Sequence, residues 1–347
     1  MSHSLEALTA GMDADFQQII AQLQGMFAHA AGKVHGRPTH TYGVGARGEA
    51  RIVVPIEFPE NDFFIPGKTY PVLLRHSTPG GRSDNRARDG ASASVKFCDE
   101  QADPSAQGLQ NILMNTARSL FVRTARTFFK LVTTPNEERV EKLLEPKILD
   151  DAILAEAFRS GGSFTEYYFH SQICYELTDR SGAMSYLRFR LVPGDRGPER
   201  GQLPTSWQPK GVTCFPPFEG DPRSESYLRQ DFLSRFQYGG IRYFLQGQLR
   251  PGNDKDAVDC TQVWDPERYP WTDLAEIHLT EALTPDELDV LAFDVNWTHP
   301  CIALPLATSG LWEGLQADNP ASLGHARALV YQAARKARAE SSLPHAS

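Results

Sequence analysis

Tyr331 follows Arg327 by one helical turn in Arg327-Ala-Leu-Val-Tyr331, so a helix here sets a phenol beside a guanidinium. Free phenols lose their proton only near a pH of about 10, so one that binds a metal as an anion needs a neighbouring cation. Far upstream, in order, come Arg37-Pro-Thr39-His40, Arg75-His-Ser77-Thr and Asn115-Thr116. An imidazole such as His40 can take the proton from one peroxide oxygen and deliver it to the other. Ser77 could hydrogen-bond that ring and fix its tautomer. Asn115 offers an uncharged donor that can hold a peroxide without being oxidised. Arg37 and Arg75 suit carboxylates, as does Arg338, which returns to the face of Tyr331 after about two helical turns. Taken singly these are a packed tyrosine, a turn histidine in a Gly-rich loop and solvated arginines. Taken together they are the parts of a haem site: a phenolate for ferric iron, a distal imidazole and amide, and arginines for the propionates.

The elements that must position them alternate along the chain. Leu5, Leu8, Met12, Phe16, Ile19, Ile20, Leu23 and Phe27 recur at three and four, which predicts an amphipathic helix within residues 4–31 that docks on the body or on a partner subunit. Strands are expected at Ala50–Phe58, Val72–Thr78 (stopped by Pro79-Gly-Gly81) and Ala93–Phe97. Helical stretches follow at Arg118–Val132 and Pro135–Arg159. Tyr167–Leu177 and Met184–Leu191 read as a hairpin turning at Thr178–Gly182, and Tyr243–Leu249 and Ala275–Leu279 add further strands. Pro193–Pro222, rich in Pro and Gly, reads as a long surface connection. An Ala-, Leu- and Arg-rich helix is expected at 322–340, with a fraying tail at Ser341–Ser347. Antiparallel strands in the middle and helices at the ends make an α+β protein, in which a closed barrel is one way to remove the sheet edges. The organisation expected is an N-terminal helical arm, 1–31, and a single domain, 32–340.

With 347 residues, 41% hydrophobic and 22% charged, the chain can bury a sizeable core. A net charge of −8 argues against nucleic acid or an anionic membrane as main partner. No window approaches the roughly 20 apolar residues of a membrane span, so no stable membrane insertion is expected. The N-terminal stretch lacks the pattern of a secretory signal. Cys98, Cys174, Cys214, Cys260 and Cys301 lie far apart with no C-x-x-C spacing, which fits reduced thiols in a cytoplasmic protein. His76, His170, His278, His299 and His325 show no ligand spacing.

Seven blocks in one order carry a resemblance: Arg37–Gly45, Leu74–Thr78, Arg88-Asp89-Gly90 through Phe97, Met114–Arg123, Thr261–Pro270, Leu291–Asp294 and Arg327–Tyr331. The chain resembles the catalase superfamily over residues 35–340. That resemblance implies an eight-stranded antiparallel β-barrel with flanking helices and a haem b cofactor. It also implies Tyr331 as the proximal iron ligand, a tyrosinate being catalase's haem ligand, with His40 and Asn115 as distal catalytic residues. Departures point to a particular branch. The chain is shorter than typical catalases. Thr39 stands where they carry Val, and His76 where they carry Phe. A Thr-His pair on a short barrel looks like the catalase-related allene oxide synthases, where the threonine hydroxyl is thought to restrain hydrogen peroxide dismutation. The expected activity is a haem peroxidase acting on a small-molecule or lipid hydroperoxide with a small reductant. The alternatives are a hydroperoxide dehydratase or isomerase, a weak catalase, and a non-enzymatic haem carrier or sensor. A homo-oligomer would suit the N-terminal helix.

Overall fold

The computed structural model describes residues 2–79, 90–203 and 220–341. Gly80, Gly81, Arg88, Asp89, Cys214, most of the Pro193–Pro222 connection and nearly all of the expected fraying tail lie outside them. Among the described residues ten strands form: β1 Gly43–Ile52, β2 Thr69–Ser77, β3 Ser92–Phe97, β4 Gln110–Asn115, β5 Phe169–His170, β6 Tyr175–Thr178, β7 Met184–Pro193, β8 Ile241–Pro251, β9 Thr272–Ala282 and β10 Ile302–Ala303. All pairings are antiparallel, and a β7–β8 pairing closes the ring β1-β2-β3-β4-β5-β7-β8-β9. The barrel of eight strands that the resemblance implies is thus present; β6 and β10 extend it as a flap on β7.

Around it lie α1 Leu5–Thr9, α2 Ala14–Val34, α3 Ala125–Thr133, α4 Asp151–Glu156, α5 Tyr227–Ser234, α6 Pro285–Val290 and α7 Ser322–Ser341. The N-terminal helix is two helices. Gly11 turns the chain at φ +69°, and the Asp13 carboxylate caps the restart by accepting from the Phe16 N–H at 2.8 Å. α2 buries Phe16, Ile19, Ile20 and Leu23 and packs along α7. Phe16 meets the His325 ring edge-on at 5.2 Å. His325 Nδ1 accepts from the Ala307 N–H, so its Nε2–H donates to the Leu8 carbonyl at 2.7 Å. The helix that carries Tyr331 is therefore clamped by the N-terminal segment.

Three expectations need correction. The first strand runs 43–52 and not 50–58: Pro55 opens a turn closed by the Phe58 N–H, and Ile56 is 94% exposed. The glycines that looked like a loop are part of that strand. A Cβ on Gly48 would lie 1.9 Å from the His278 carbonyl, at the register shift between β1 and β9. The helical stretches are also shorter. α3 starts only at the Thr124–Thr127 capping box, and residues 135–159 break into a 3-10 turn, a wide π turn and α4, with Lys147 left-handed at φ 57°. Finally, the first arm of the hairpin is interrupted at Gln172, φ 60°. β5 stays in the barrel, and β6 leaves it to pair with the other end of β7.

Candidate active site

Register alone sets three polar side chains in a row. Ser77 on β2 pairs with Ser92 on β3, and Ser92 pairs with Asn115 on β4, so all three stand on one face of the sheet. The row continues to Gly43 on β1, where the missing side chain matters. A Cβ there would lie 2.6 Å from Arg75 Cζ, so glycine lets the guanidinium pass. Arg75, 5% exposed, uses that space to donate from Nη2 to the His40 carbonyl at 2.8 Å and the Thr41 carbonyl at 3.2 Å. Those bonds hold His40 at φ 55°, a left-handed conformation uncommon outside glycine.

The imidazole so presented has Nδ1 3.3 Å from Ser77 Oγ and 3.1 Å from Ser92 Oγ. Ser92 Oγ also donates to Asn115 Oδ1 at 2.5 Å, and Asn115 Nδ2 donates to Gln172 Oε1 at 2.9 Å. Desolvation, then the charges of Arg75, Arg327 and Arg37, push the imidazole down to about 3, so it is neutral at physiological pH.

The other contribution comes from α7, whose Arg327, Tyr331, Arg335 and Arg338 recur at four, four and three and so share a face. Arg327 donates from Nη2 to the Tyr331 hydroxyl oxygen at 3.0 Å. Burial works against the Arg327 charge, but the charge and hydrogen bond of Tyr331 outweigh it and hold the guanidinium above its ordinary range. Arg335 pairs with Asp294, whose side chain is fully buried, and lies 4.2 Å over the Trp297 ring.

All nine residues singled out in the sequence line one cleft: Arg37, Thr39, His40, Arg75, Ser77, Asn115, Arg327, Tyr331 and Arg338. Its non-atom space, counted with the open solvent at its mouth, is about 910 Å³. Phe27 of α2, Leu113, Met114 and Phe293 supply apolar walls. The cleft is strongly cationic. Burial first, and then mutual repulsion, lower Arg37 (against Arg75 and Arg338), Arg75 (to about 10, against Arg338) and Arg338 (against Arg335); Asp289 opposes this in all three. Among the described residues, Arg75 Nε is buried without a hydrogen-bond partner. Clustered guanidiniums with a free buried donor, beside a phenol and apolar walls, fit a flat apolar ligand that carries carboxylates. Not all of that capacity is free, since one Arg37 nitrogen already donates to the Leu288 carbonyl at 3.0 Å and to that of Leu291.

Ser92, Gln172 and Arg335 were missed. Arg335 was legible, four residues after Tyr331 on the same face. Ser92 and Gln172 were not, because only strand register and the break at Gln172 bring them to the site. His76 is a packed core histidine, 2.9 Å from the Tyr243 hydroxyl and stacked on Phe164 at 4.6 Å. Among the described residues no cluster of three His, Cys, Asp or Glu side chains could hold a metal ion, and Cys98, Cys174, Cys260 and Cys301 are free thiols. No described helix is long and apolar enough to cross a membrane.

No protein-family model matches the chain. It is 33% identical over 332 residues to a linolenate 9R-lipoxygenase of Nostoc sp., covering 95% of this chain and 42% of that protein. It is 31% identical over 303 residues to an allene oxide synthase-lipoxygenase protein of Plexaura homomalla, covering 85% of this chain and 27% of that one. The chain thus spans less than half the length of either relative. An uncharacterized Sinorhizobium fredii protein, y4iK, is 41% identical over 233 residues, 65% of this chain and 97% of its own length. In fold, the chain matches a fungal catalase with a TM-score of 0.61 at 18% identity, over 86% of this chain and 62% of that one. A bacterial catalase matches with a TM-score of 0.60 at 18% identity, over 87% and 57%. With a closed eight-stranded barrel, the row Ser77–Ser92–Asn115 beneath His40, and similarity to a linolenate 9R-lipoxygenase and an allene oxide synthase-lipoxygenase protein, the chain belongs to the catalase superfamily, in its allene oxide synthase-like branch.

Proposed function

We propose that the chain is a haem enzyme that consumes organic hydroperoxides, fatty-acid hydroperoxides foremost, as a peroxidase. One observation carries this reading: the Arg327–Tyr331 pair, the guanidinium cluster and the His40–Ser92–Asn115 network open into the same cleft. Tyr331 would hold the iron of haem b, with Arg327 stabilising the phenolate. Arg37, Arg75 and Arg338 would take the propionates, whose charges relieve the mutual repulsion of the arginines. When bound, haem would supply the ferric Lewis-acid and redox chemistry that weakens a peroxide O–O bond. His40, held neutral, takes the hydroperoxide proton and returns it to the leaving oxygen. Asn115 gives one N–H to Gln172 and keeps the second for the peroxide. In the net reaction a hydroperoxide and a two-electron donor with two protons give an alcohol and water. The partners are therefore a lipid or small-molecule hydroperoxide and a small reductant.

The name of the Plexaura relative favours a second reading, rearrangement of the hydroperoxide with loss of water and no reductant. Dismutation ranks third, since Thr39 stands next to His40 where typical catalases carry Val. A haem carrier has no use for a proton-transferring imidazole beside an amide. The test is product analysis after mixing the haem-loaded protein with a polyunsaturated fatty-acid hydroperoxide, with and without a phenolic reductant. Alcohol formed only with reductant supports the peroxidase. Epoxide-derived products without reductant support the dehydratase. An untouched substrate in both tubes refutes both.

A further inference from the structure

We infer that Ser92 and Gln172 are positioning residues that fix the tautomer of His40, with the proton on Nδ1 and Nε2 left bare for the cleft. The inference rests on the reading of His40 as the proton-transferring base, and it says how that base is kept ready.

The polarity runs inward from the backbone. Gln172, 2% exposed, donates from Nε2 to the carbonyls of Ala117 and Ser119, each at 3.2 Å. Carbonyls only accept, so the amide nitrogen must face them and Oε1 must face Asn115. Asn115 then has to present Nδ2 to Gln172, at 2.9 Å, which leaves Oδ1 for Ser92. An amide oxygen also only accepts, so the single proton of Ser92 is committed to Asn115. The Ser92 oxygen is left with lone pairs toward His40, and at 3.1 Å from Nδ1 it can only accept. With the opposite tautomer, two lone pairs would face each other at that distance. Four side chains and two carbonyls thus give one consistent arrangement of protons.

Ser77 does not make this choice. Among the described residues its hydroxyl bonds only Nδ1, at 3.3 Å, and a hydroxyl rotates to donate or accept. The left-handed turn at Gln172 belongs to the same device. By breaking the strand between β5 and β6, it sends the amide back to Asn115 and not out along the sheet. The depressed basicity of His40 keeps the ring in the neutral form in which a tautomer choice has meaning.

The test reads the ring directly, by nitrogen-15 NMR of the full chain labelled at histidine and purified without haem, near neutral pH. Wild type should show His40 with a pyrrole-type Nδ1 and a pyridine-type Nε2. Ser92→Ala should shift the tautomer ratio toward Nε2–H by roughly 5–30-fold, and Ser92→Thr, which keeps the hydroxyl, should restore it. Gln172→Leu is the sharper variant. It frees the Asn115 amide to flip, so Ser92 can donate to Nδ1, and the ratio should move though nothing touching His40 has changed. A merely structural role at Gln172 would not move it. A wild-type ring protonated on Nε2, or ratios unchanged in both Ser92→Ala and Gln172→Leu, overturns the inference. Haem-loaded turnover separates the two layers. If the ratios move as expected while both His40→Gln and Ser92→Ala turn over hydroperoxide at the wild-type rate, the tautomer device stands and the reading of His40 as base falls.

Discussion

Replacing Arg327 with Gln tests the proposed iron-binding role of Tyr331 most directly. The guanidinium nitrogen lies 3.0 Å from the Tyr331 oxygen. At an effective dielectric of about 20, a full phenolate charge at that distance is worth up to about 5.5 kcal/mol. The net value is smaller, because Arg327 has given up its own hydration to lie there. Hydrogen bonds to charged groups retain about 1.5–3 kcal/mol after such losses. R327Q should therefore bind ferric haem about 10- to 150-fold more weakly. The assay is competitive transfer of ferric haem between variant and wild type, followed by the tyrosinate-to-iron absorption. Metal-free protoporphyrin is the control, since it keeps the carboxylates but gives the phenolate nothing to bind. Its affinity should change by less than about threefold. The haem-free variant should melt within about 3 °C of wild type, because a buried cation is removed along with its bond. Equal ferric affinity, or equal losses for both porphyrins, would refute the reasoning.

Gly43→Ala should lower stability by about 1–3 kcal/mol in urea unfolding, since the new Cβ lies 2.5 Å from the His76 carbonyl and 2.6 Å from Arg75 Cζ. Gly48→Ala, at 1.9 Å from a carbonyl, should cost more, and equal stabilities would contradict the barrel register. Burial holds His76 and His325 neutral, at about 3 and about 4, against an ordinary value of 6.5. The unfolded chain therefore binds more protons below pH 6.5, so their contribution is intact above that pH and is lost as pH falls toward 4 and 3. Each contributes a slope of about 1.4 kcal/mol per pH unit. His76→Phe should flatten the profile by one such slope, while leaving the Tyr243 hydroxyl without its 2.9 Å partner; an unchanged slope would rule the assignment out. Thr39→Val should raise hydrogen peroxide dismutation by roughly tenfold, about 1.4 kcal/mol, with oxygen release as readout. No gain would remove Thr39 as the restraint.

The sequence made the chemistry more legible than the path of the backbone. Tyr331, Arg327 and Arg338 could be placed together because helix periodicity converts spacing into a shared face. His40, Ser77 and Asn115 could be grouped only through the resemblance, since no local rule brings residues so far apart in sequence into one row; antiparallel register does that. Ser92 escaped for the same reason, and a serine in a strand carries no signal of its own. The boundaries that failed did so where tertiary contact overrides propensity. Gly43 and Gly45 read as a loop, yet they lie in β1 because neighbouring backbone and side chains leave no room for a Cβ. Gln172 interrupts a run of good strand formers, and nothing local announces its left-handed turn.

His40 enters the cleft just before the first strand, and Tyr331 enters it from the last helix, which is itself pinned to the Leu8 carbonyl through His325. The cleft is thus closed by contacts between the two extremes of the sequence, the kind that form late because the loops they close are long. A chain with a finished barrel but an undocked α7 would have its serine–asparagine row in place and no pocket. Pigment uptake would then report the completion of folding, and the bound fraction in a preparation would count the molecules whose two ends have met.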